Sequence, residues 1–287
     1  MPDYTWFEGI PFHAFGISKE TLQNVCNKFV VKDEDLILLA YPKSGTNWLI
    51  EIVCLIQTKG DPKWIQSVTI WDRSPWIETD VGYDILIKKK GPRLMTSHLP
   101  MHLFSKSLFS SKAKVIYLVR NPRDVLVSGY YFWGNSTLAK KPDSLGTYVE
   151  WFLKGNVLYG SWFEHIRAWL SMQEWDNFLL LYYEDMKKDT MGTIKKICDF
   201  LGKKLEPDEL DLVLKYSSFQ VMKENDMSNY SLLMKKSIFT GIGLMRKGKE
   251  IVYHQNILKI CFANESLRKC CKCTENHFSP LKASPKY

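Results

Sequence analysis

The stretch LILLAYPKSGTNWLIEIVCLI, residues 36–56, sets five uninterrupted apolar residues against a short polar turn and then a second apolar run with helical spacing. An apolar run without alternation reads as a strand buried on both faces, as in a parallel sheet covered by helices. A strand, a glycine-containing turn and a helix bring unpaired N–H groups and the positive end of a helix dipole to one point, which favours an anion. Ser44 and Thr46 add hydroxyl donors and Lys43 adds a positive charge at the carboxyl end of the strand, where open α/β sheets place ligands. In the standard phosphate loop, however, the lysine and its hydroxyl neighbour follow the last glycine, whereas here Lys43 and Ser44 precede Gly45 and only Thr46 follows it. A turn whose Ser44 and Thr46 simply cap a helix is the competing account, and this stretch alone leaves both open.

Two further runs share the pattern, VIYLV (115–119) and FLLLYY (178–183), and PRLMTSH (92–98) is a weaker fourth. Helical spacing follows over residues 47–57, 122–132, 145–153, 160–170, 190–201 and 207–216. Asp189 is placed to cap the helix over 190–201, and Gly202 to close it. Strands alternating with helices predict a single α/β domain with a central parallel sheet flanked by helices, of the P-loop nucleotide-binding type. The expected domain runs over residues 1–248, and residues 249–287 form a tail that loses helical periodicity and reads as poorly ordered.

Hydrophobic residues make up 45% and charged residues 24% of the 287, an ordinary globular composition with enough apolar material for a core. The first residues, MPDYTWFEGIPFHAFG, lack the basic end, apolar stretch and small-residue cleavage site of a leader. No apolar run approaches the ~18 residues needed to span a bilayer, so the expectation is a cytosolic protein without membrane insertion. Cys26, Cys54 and Cys198 read as small core hydrophobes, and Cys261, Cys270, Cys271 and Cys273, with His277 nearby, match no usual zinc spacing. No metal is therefore expected. The net charge of +8 suits an anionic ligand, and the spread of basic residues without a reading motif argues for no nucleic acid.

Around the second strand, VIYLVRNPRDVLVSGYYFW repeats the first design: Arg120 at the strand end, Pro122 opening a helix and Ser128 about two turns inside it. One cation and one hydroxyl can converge there on a second phosphate, although Ser128 also fits a packing role. Farther on, Arg246, Lys247 and Gly248 offer two cations beside a backbone that a ligand can approach closely.

Taken together, YPKSGTNW, SHLP, VIYLVRNPRDVLVSGYYFW, SSFQVMKEN and RKG, in this order, resemble the cytosolic sulfotransferases, and among them the hydroxysteroid and bile-salt branch, from Met1 to about Gly248. The resemblance implies transfer of a sulfuryl group from 3′-phosphoadenylyl sulfate (PAPS) to a lipophilic alcohol such as a steroid or bile acid, leaving adenosine 3′,5′-bisphosphate (PAP). It implies that Lys43, Ser44, Gly45, Thr46, Asn47 and Trp48 wrap the 5′-phosphosulfate end, with Trp48 near the adenine. Arg120, Ser128, Arg246, Lys247 and Gly248 fall to the 3′-phosphate, and Tyr183, Ser217 and Met222 to the remaining nucleotide contacts. His98 matches the general base, suited to an alcohol that is a poor nucleophile near neutral pH, and Lys43 would also stabilise charge on the departing phosphate. The loop would then hold a leaving phosphate, which accounts for its early lysine. Phe12, Trp71, Trp76, Phe132 and Tyr230 fall where the family lines an apolar acceptor cavity, and Phe15 is a further candidate.

The resemblance stops after Gly248. In the family the triplet leads into a Gly-Asp-Trp-Lys-Asn run and a terminal helix with a Lys-Thr-Val-Glu dimer contact, and this chain has neither. Its usual dimer contact is therefore expected to be absent. Two function classes stay open at this level: an active steroid or bile-acid sulfotransferase, which His98, Lys43 and Ser128 favour, and a non-catalytic nucleotide- or lipophile-binding variant, which the altered tail favours.

Overall fold

The computed structural model describes residues 4–234. Arg246, Lys247, Gly248, the cysteine-rich segment and the tail, with its expected lack of the family's dimer contact, lie outside the described residues.

Four parallel strands, β3 (Leu36–Ala40), β4 (Leu94–Ser97), β5 (Lys114–Val119) and β6 (Phe178–Tyr182), form a sheet in the order β4-β3-β5-β6. All five residues of β3 are buried, as the lack of alternation predicts for a strand with helices on both faces. The register aligns Leu39 with Ser97 on one side and with Tyr117 on the other. The carboxyl ends of β3, β4 and β5 therefore emerge side by side, and the segments that follow them are brought to one edge of the sheet.

The helix Thr46–Gln57, which follows β3, is buried on nearly every side: Leu49, Ile50, Ile52, Val53, Cys54, Leu55 and Ile56 all lie in the core. A helix that is apolar all round must be enclosed, so the start of this helix is fixed where the sheet ends. The one carboxylate in it, Glu51, is fully buried and accepts from Arg73 Nη1 at 2.7 Å and from Ser228 Oγ at 2.8 Å. Arg73 Nη2 donates to the same Ser228 hydroxyl at 3.0 Å, so the buried charge is paired and hydrogen-bonded.

The helices Pro122–Gly134, Leu145–Lys154, Trp162–Leu170, Thr190–Leu201 and Pro207–Tyr216 agree with the spacing read from the sequence to within two residues at each end. Asp189 caps its helix by accepting from Gly192 N at 2.8 Å, and Gly202 closes it at φ 68°. Several elements were not expected. An antiparallel hairpin joins β1 (Tyr4–Phe7) to β2 (Ile10–His13) through Glu8 and Gly9, both at positive φ, and the helices Lys19–Asn27 and Asp80–Lys88 lie between the strands in sequence. FLLLYY also ends a residue early as a strand, because Tyr183 already starts the helix Tyr183–Lys188.

Candidate functional site

The turn after β3 holds Lys43 at φ 70° and Gly45 at φ 103°, with Ser44 buried between them. Left-handed residues on either side of one residue fold the chain into a concave loop, and the helix opening at Thr46 directs its first N–H groups there. Ser44 Oγ, Thr46 Oγ1 and Trp48 Nε1 are buried without a hydrogen-bond partner among the described residues. An unmet buried hydroxyl costs roughly 1–3 kcal/mol, so two on one loop call for an acceptor that completes them. An anion cradled by the loop is such an acceptor. Gly45 lies under the ring of Tyr183, where an added Cβ would come within 2.5 Å of Tyr183 Cδ2. Close approach, as well as the positive φ, requires glycine here.

Arg120, just past β5, donates from Nη1 to the carbonyl of Lys43 at 3.0 Å, and its guanidinium carbon lies 4.3 Å from the centroid of the Tyr183 ring. Its Nε is buried and without a partner among the described residues, so it too is available to an anion. The rings of Tyr183 and Trp48 meet edge to face at 5.7 Å. The structure thus brings Lys43, Gly45, Trp48, Arg120 and Tyr183 into one contiguous cluster. Ser128 is half-buried on the helix Pro122–Gly134, while Ser217 and Met222 are buried on the helical segments after β6.

His98 stands one residue beyond β4. Its Nδ1 lies 2.7 Å from the carbonyl oxygen of Ala40, the last residue of β3. A carbonyl can only accept, so Nδ1 carries the proton and Nε2 keeps the lone pair. Burial pushes the ring's pKa down from 6.5 to about 4, the Ala40 bond opposes this, and the charges of Lys43 and His13 add to it. The imidazole is therefore neutral near pH 7, with one nitrogen ready to accept a proton. Its main chain is held as well: N–H donates to Glu78 Oε1 at 2.9 Å, and C=O accepts from His165 Nε2 at 3.2 Å.

Two aromatic rings lie beside this histidine, and further aromatic pairs stand elsewhere in the domain. Trp76 is 6.1 Å and Tyr159 5.6 Å away by ring centroids, and Phe12 meets Tyr159 at 5.2 Å. Trp71 and Tyr230 meet edge to face at 5.5 Å, and the Tyr230 phenol is hydrogen-bonded to the side chain of Asn47. Lys43 Nζ lies 3.5 Å from the centroid of Phe132, so an expected acceptor-lining ring touches the loop lysine directly. Phe15 is 61% exposed, and its carbonyl lies 2.8 Å from His13 Nδ1. Tyr159, His13, Glu78 and His165 were missed. Tyr159 alone left a trace in the sequence, as a tyrosine before Gly160, and it adopts φ 68°.

Among the described residues there is no group of three or more His, Cys, Asp or Glu arranged to hold a metal ion, and no helix long and apolar enough to cross a membrane.

Known proteins resemble this chain over most of its length. Residues 33–276 match the family model described as Sulfotransferase domain. The chain is 98% identical over 248 residues to rat Sulfotransferase 2A1, covering 86% of this chain and 87% of the relative. It is 64% identical over 249 residues to guinea-pig 3-beta-hydroxysteroid sulfotransferase, with coverages of 86% and 87%. Among solved structures, mouse sulfotransferase SULT7A1 complexed with PAP superposes with a TM-score of 0.67 at 32% identity, over 77% of this chain and 75% of that one.

Proposed function

Because the chain belongs to the sulfotransferase family, we propose that it moves a sulfuryl group from PAPS to the hydroxyl of a steroid or bile acid. One observation carries this reading: the anion loop leaving β3 and the neutral His98 leaving β4 are joined by the 2.7 Å contact between Ala40 O and His98 Nδ1. In this reading a phosphate cradle and a general base are neighbours. The unmet hydroxyls of Ser44 and Thr46 and the unmet Nε of Arg120 fit a bisphosphate nucleotide.

In this reading Lys43, Ser44, Gly45, Thr46, Asn47 and Trp48 hold the 5′ end of the nucleotide. Arg120 and Ser128 take the 3′-phosphate, and Tyr183, Ser217 and Met222 complete the nucleotide wall. When bound, PAPS supplies the sulfuryl group and PAP is what remains. His98 Nε2 takes the proton of the acceptor hydroxyl as its oxygen bonds sulfur. Lys43 meets the negative charge left on the 5′-phosphate as the old S–O bond breaks, a role realised in the transition state. The transfer is direct and in-line, with no covalent enzyme intermediate and no metal. Phe12, Trp71, Trp76, Phe132 and Tyr230 line the acceptor side, where a rigid hydrocarbon alcohol is recognised by apolar contact.

In the same reading the sulfotransferase domain is residues 1–248, and the sequence of 249–287 diverges from the family and lacks its Lys-Thr-Val-Glu dimer contact. A cytosolic location and the absence of nucleic-acid partners belong to the same reading. Purified protein incubated with [35S]PAPS and a 3-hydroxysteroid tests it: labelled steroid sulfate, lost in His98→Ala, supports the enzyme. Retained PAP binding with no turnover in the unaltered chain would overturn it in favour of a non-catalytic binding variant.

A further inference from the structure

β4 is an edge strand, and its last rung pairs Ser97 with Leu39. His98 lies beyond that rung, so the sheet supplies no partner for its main chain. The gap is filled from two sides. On the outer edge, residues 75–77 run beside β4: Thr96 N donates to Pro75 O at 2.9 Å, and Ile77 N to Thr96 O at 3.0 Å. The next N–H on that edge is that of His98, and the Glu78 side chain accepts it at 2.9 Å, standing where a ladder carbonyl would.

From the other side the helix Trp162–Leu170 contributes His165 and Trp169, four residues apart and therefore on one face. His165 Nε2–H donates to His98 O at 3.2 Å, and Trp169 Nε1–H to Leu99 O at 3.1 Å. The His98 carbonyl, which can only accept, fixes the tautomer with the proton on Nε2, and the Tyr117 hydroxyl on β5 donates to His165 Nδ1 at 2.9 Å. Burial lowers His165 to about 3, so this ring stays neutral and its donor and acceptor roles are set.

We propose that Glu78 and His165 are positioning residues for the reaction: they lock the main chain of His98 where the sheet has ended and so aim Nε2 at the acceptor oxygen. Glu78 is fully buried, and a buried carboxyl is costly. An alkyl side chain would pack there more cheaply, but it could not accept from the His98 N–H. The strap that carries Glu78 also carries Trp76, so the base and one acceptor-lining ring are set by the same few residues.

The inference rests on the proposed steroid sulfuryl transfer, and its test separates the two. In Glu78→Ala, kcat should fall on the order of 10²-fold, the loss that a misplacement of about 1 Å produces, while PAP affinity and acceptor KM change less than about threefold. Glu78→Gln, whose amide oxygen accepts the same bond, should recover kcat to within about fivefold. Ring 15N spectra of histidine-labelled protein should show His98 as a single Nδ1–H tautomer in the unaltered chain and as a mixture in Glu78→Ala. Full kcat in Glu78→Ala, or equal losses in the Gln and Ala variants, overturns the positioning role while leaving the enzyme reading intact. An unaltered chain without turnover overturns the enzyme reading first. Should Glu78→Ala not fold, amide exchange in the unaltered protein decides: the His98 N–H should exchange at least about 10³-fold slower than an open amide, and exchange at the open rate overturns the clamp.

Discussion

The guanidinium of Arg120 donates to the carbonyl oxygen of Lys43 across 3.0 Å, so the cation at the end of β5 shapes the loop at the end of β3 before any anion arrives. Arg120→Ala should therefore weaken PAP in two ways, by removing a charge and by releasing the loop. We expect a loss of about 2–3 kcal/mol in PAP binding by calorimetry, within the range for charge-assisted bonds to phosphate. Arg120→Lys should recover less than half, since a lysine cannot reach the Lys43 carbonyl and an anion with one planar fork. Unchanged affinity in Arg120→Ala would remove this arginine from the nucleotide site.

Gly45→Ala meets two penalties at once, a φ of 103° and a Cβ 2.5 Å from Tyr183 Cδ2. The left-handed strain alone costs of order 1–3 kcal/mol. Thermal melts should show a lower Tm, and the upward shift that saturating PAP produces should vanish, because the Tyr183 ring must leave the loop. A normal PAP-induced shift would show that the loop tolerates a side chain.

His98→Ala should retain PAP binding and lose turnover by 10²–10⁴-fold, the usual contribution of a positioned base. The pH profile carries a sharper mark. With the ring's pKa near 4, the neutral form prevails from about pH 5 upward, so kcat/KM should be flat there and fall only as pH drops through about 4. An acid limb centred at 6.5 would mean that the ring is not buried as described.

Stability carries the same sign. His98 and His165, lowered to about 4 and about 3, take protons more readily when unfolded, so the stability they contribute is fully present above 6.5 and lost as pH falls toward those values. Glu78, raised to about 7 by burial, acts oppositely: its contribution is present below 4.5 and lost as pH rises through 7. Urea midpoints should thus fall on the acid side in the unaltered chain, and Glu78→Gln should gain relative stability as pH rises from 5 to 8.

The Glu51–Arg73–Ser228 cluster makes a different kind of prediction. Removing one partner, as in Glu51→Ala, should destabilise by about 3–5 kcal/mol by leaving Arg73 buried and unpaired. The double variant Glu51→Leu, Arg73→Met should regain most of that in urea unfolding. Trp71 and Tyr230 each lie two residues from a member of this cluster, so the single variant should also raise the acceptor KM.

The apolar runs made β3 and β5 legible, because a strand covered on both faces leaves no alternation to misread. The helix that follows β3 was equally plain. The hairpin at Glu8 and Gly9 was not, since Glu-Gly is a weaker turn signal than Asn-Gly and Pro11 argues against a strand. The loop residues, Arg120 and His98 were readable as motifs, but the grip on His98 was not. Glu78 and His165 are 20 and 67 positions from it, and nothing in local periodicity marks a carboxylate that takes the place of a main-chain carbonyl.

The register that sets Leu39 beside Ser97 has a consequence for how such a protein can change. The anion loop and His98 leave the adjacent, fully buried strands β3 and β4, whereas Phe12, Trp71, Trp76 and Tyr230 stand on segments outside the four-stranded sheet. On the proposed reading, substitutions at Phe12, Trp71 or Tyr230 can reshape the alcohol that fits while the strands carrying the anion loop and His98 stay in place; Trp76 is the exception, because its strap also carries Glu78. Divergence toward new acceptors is therefore open to drift one residue at a time, with the chemistry carried along unaltered.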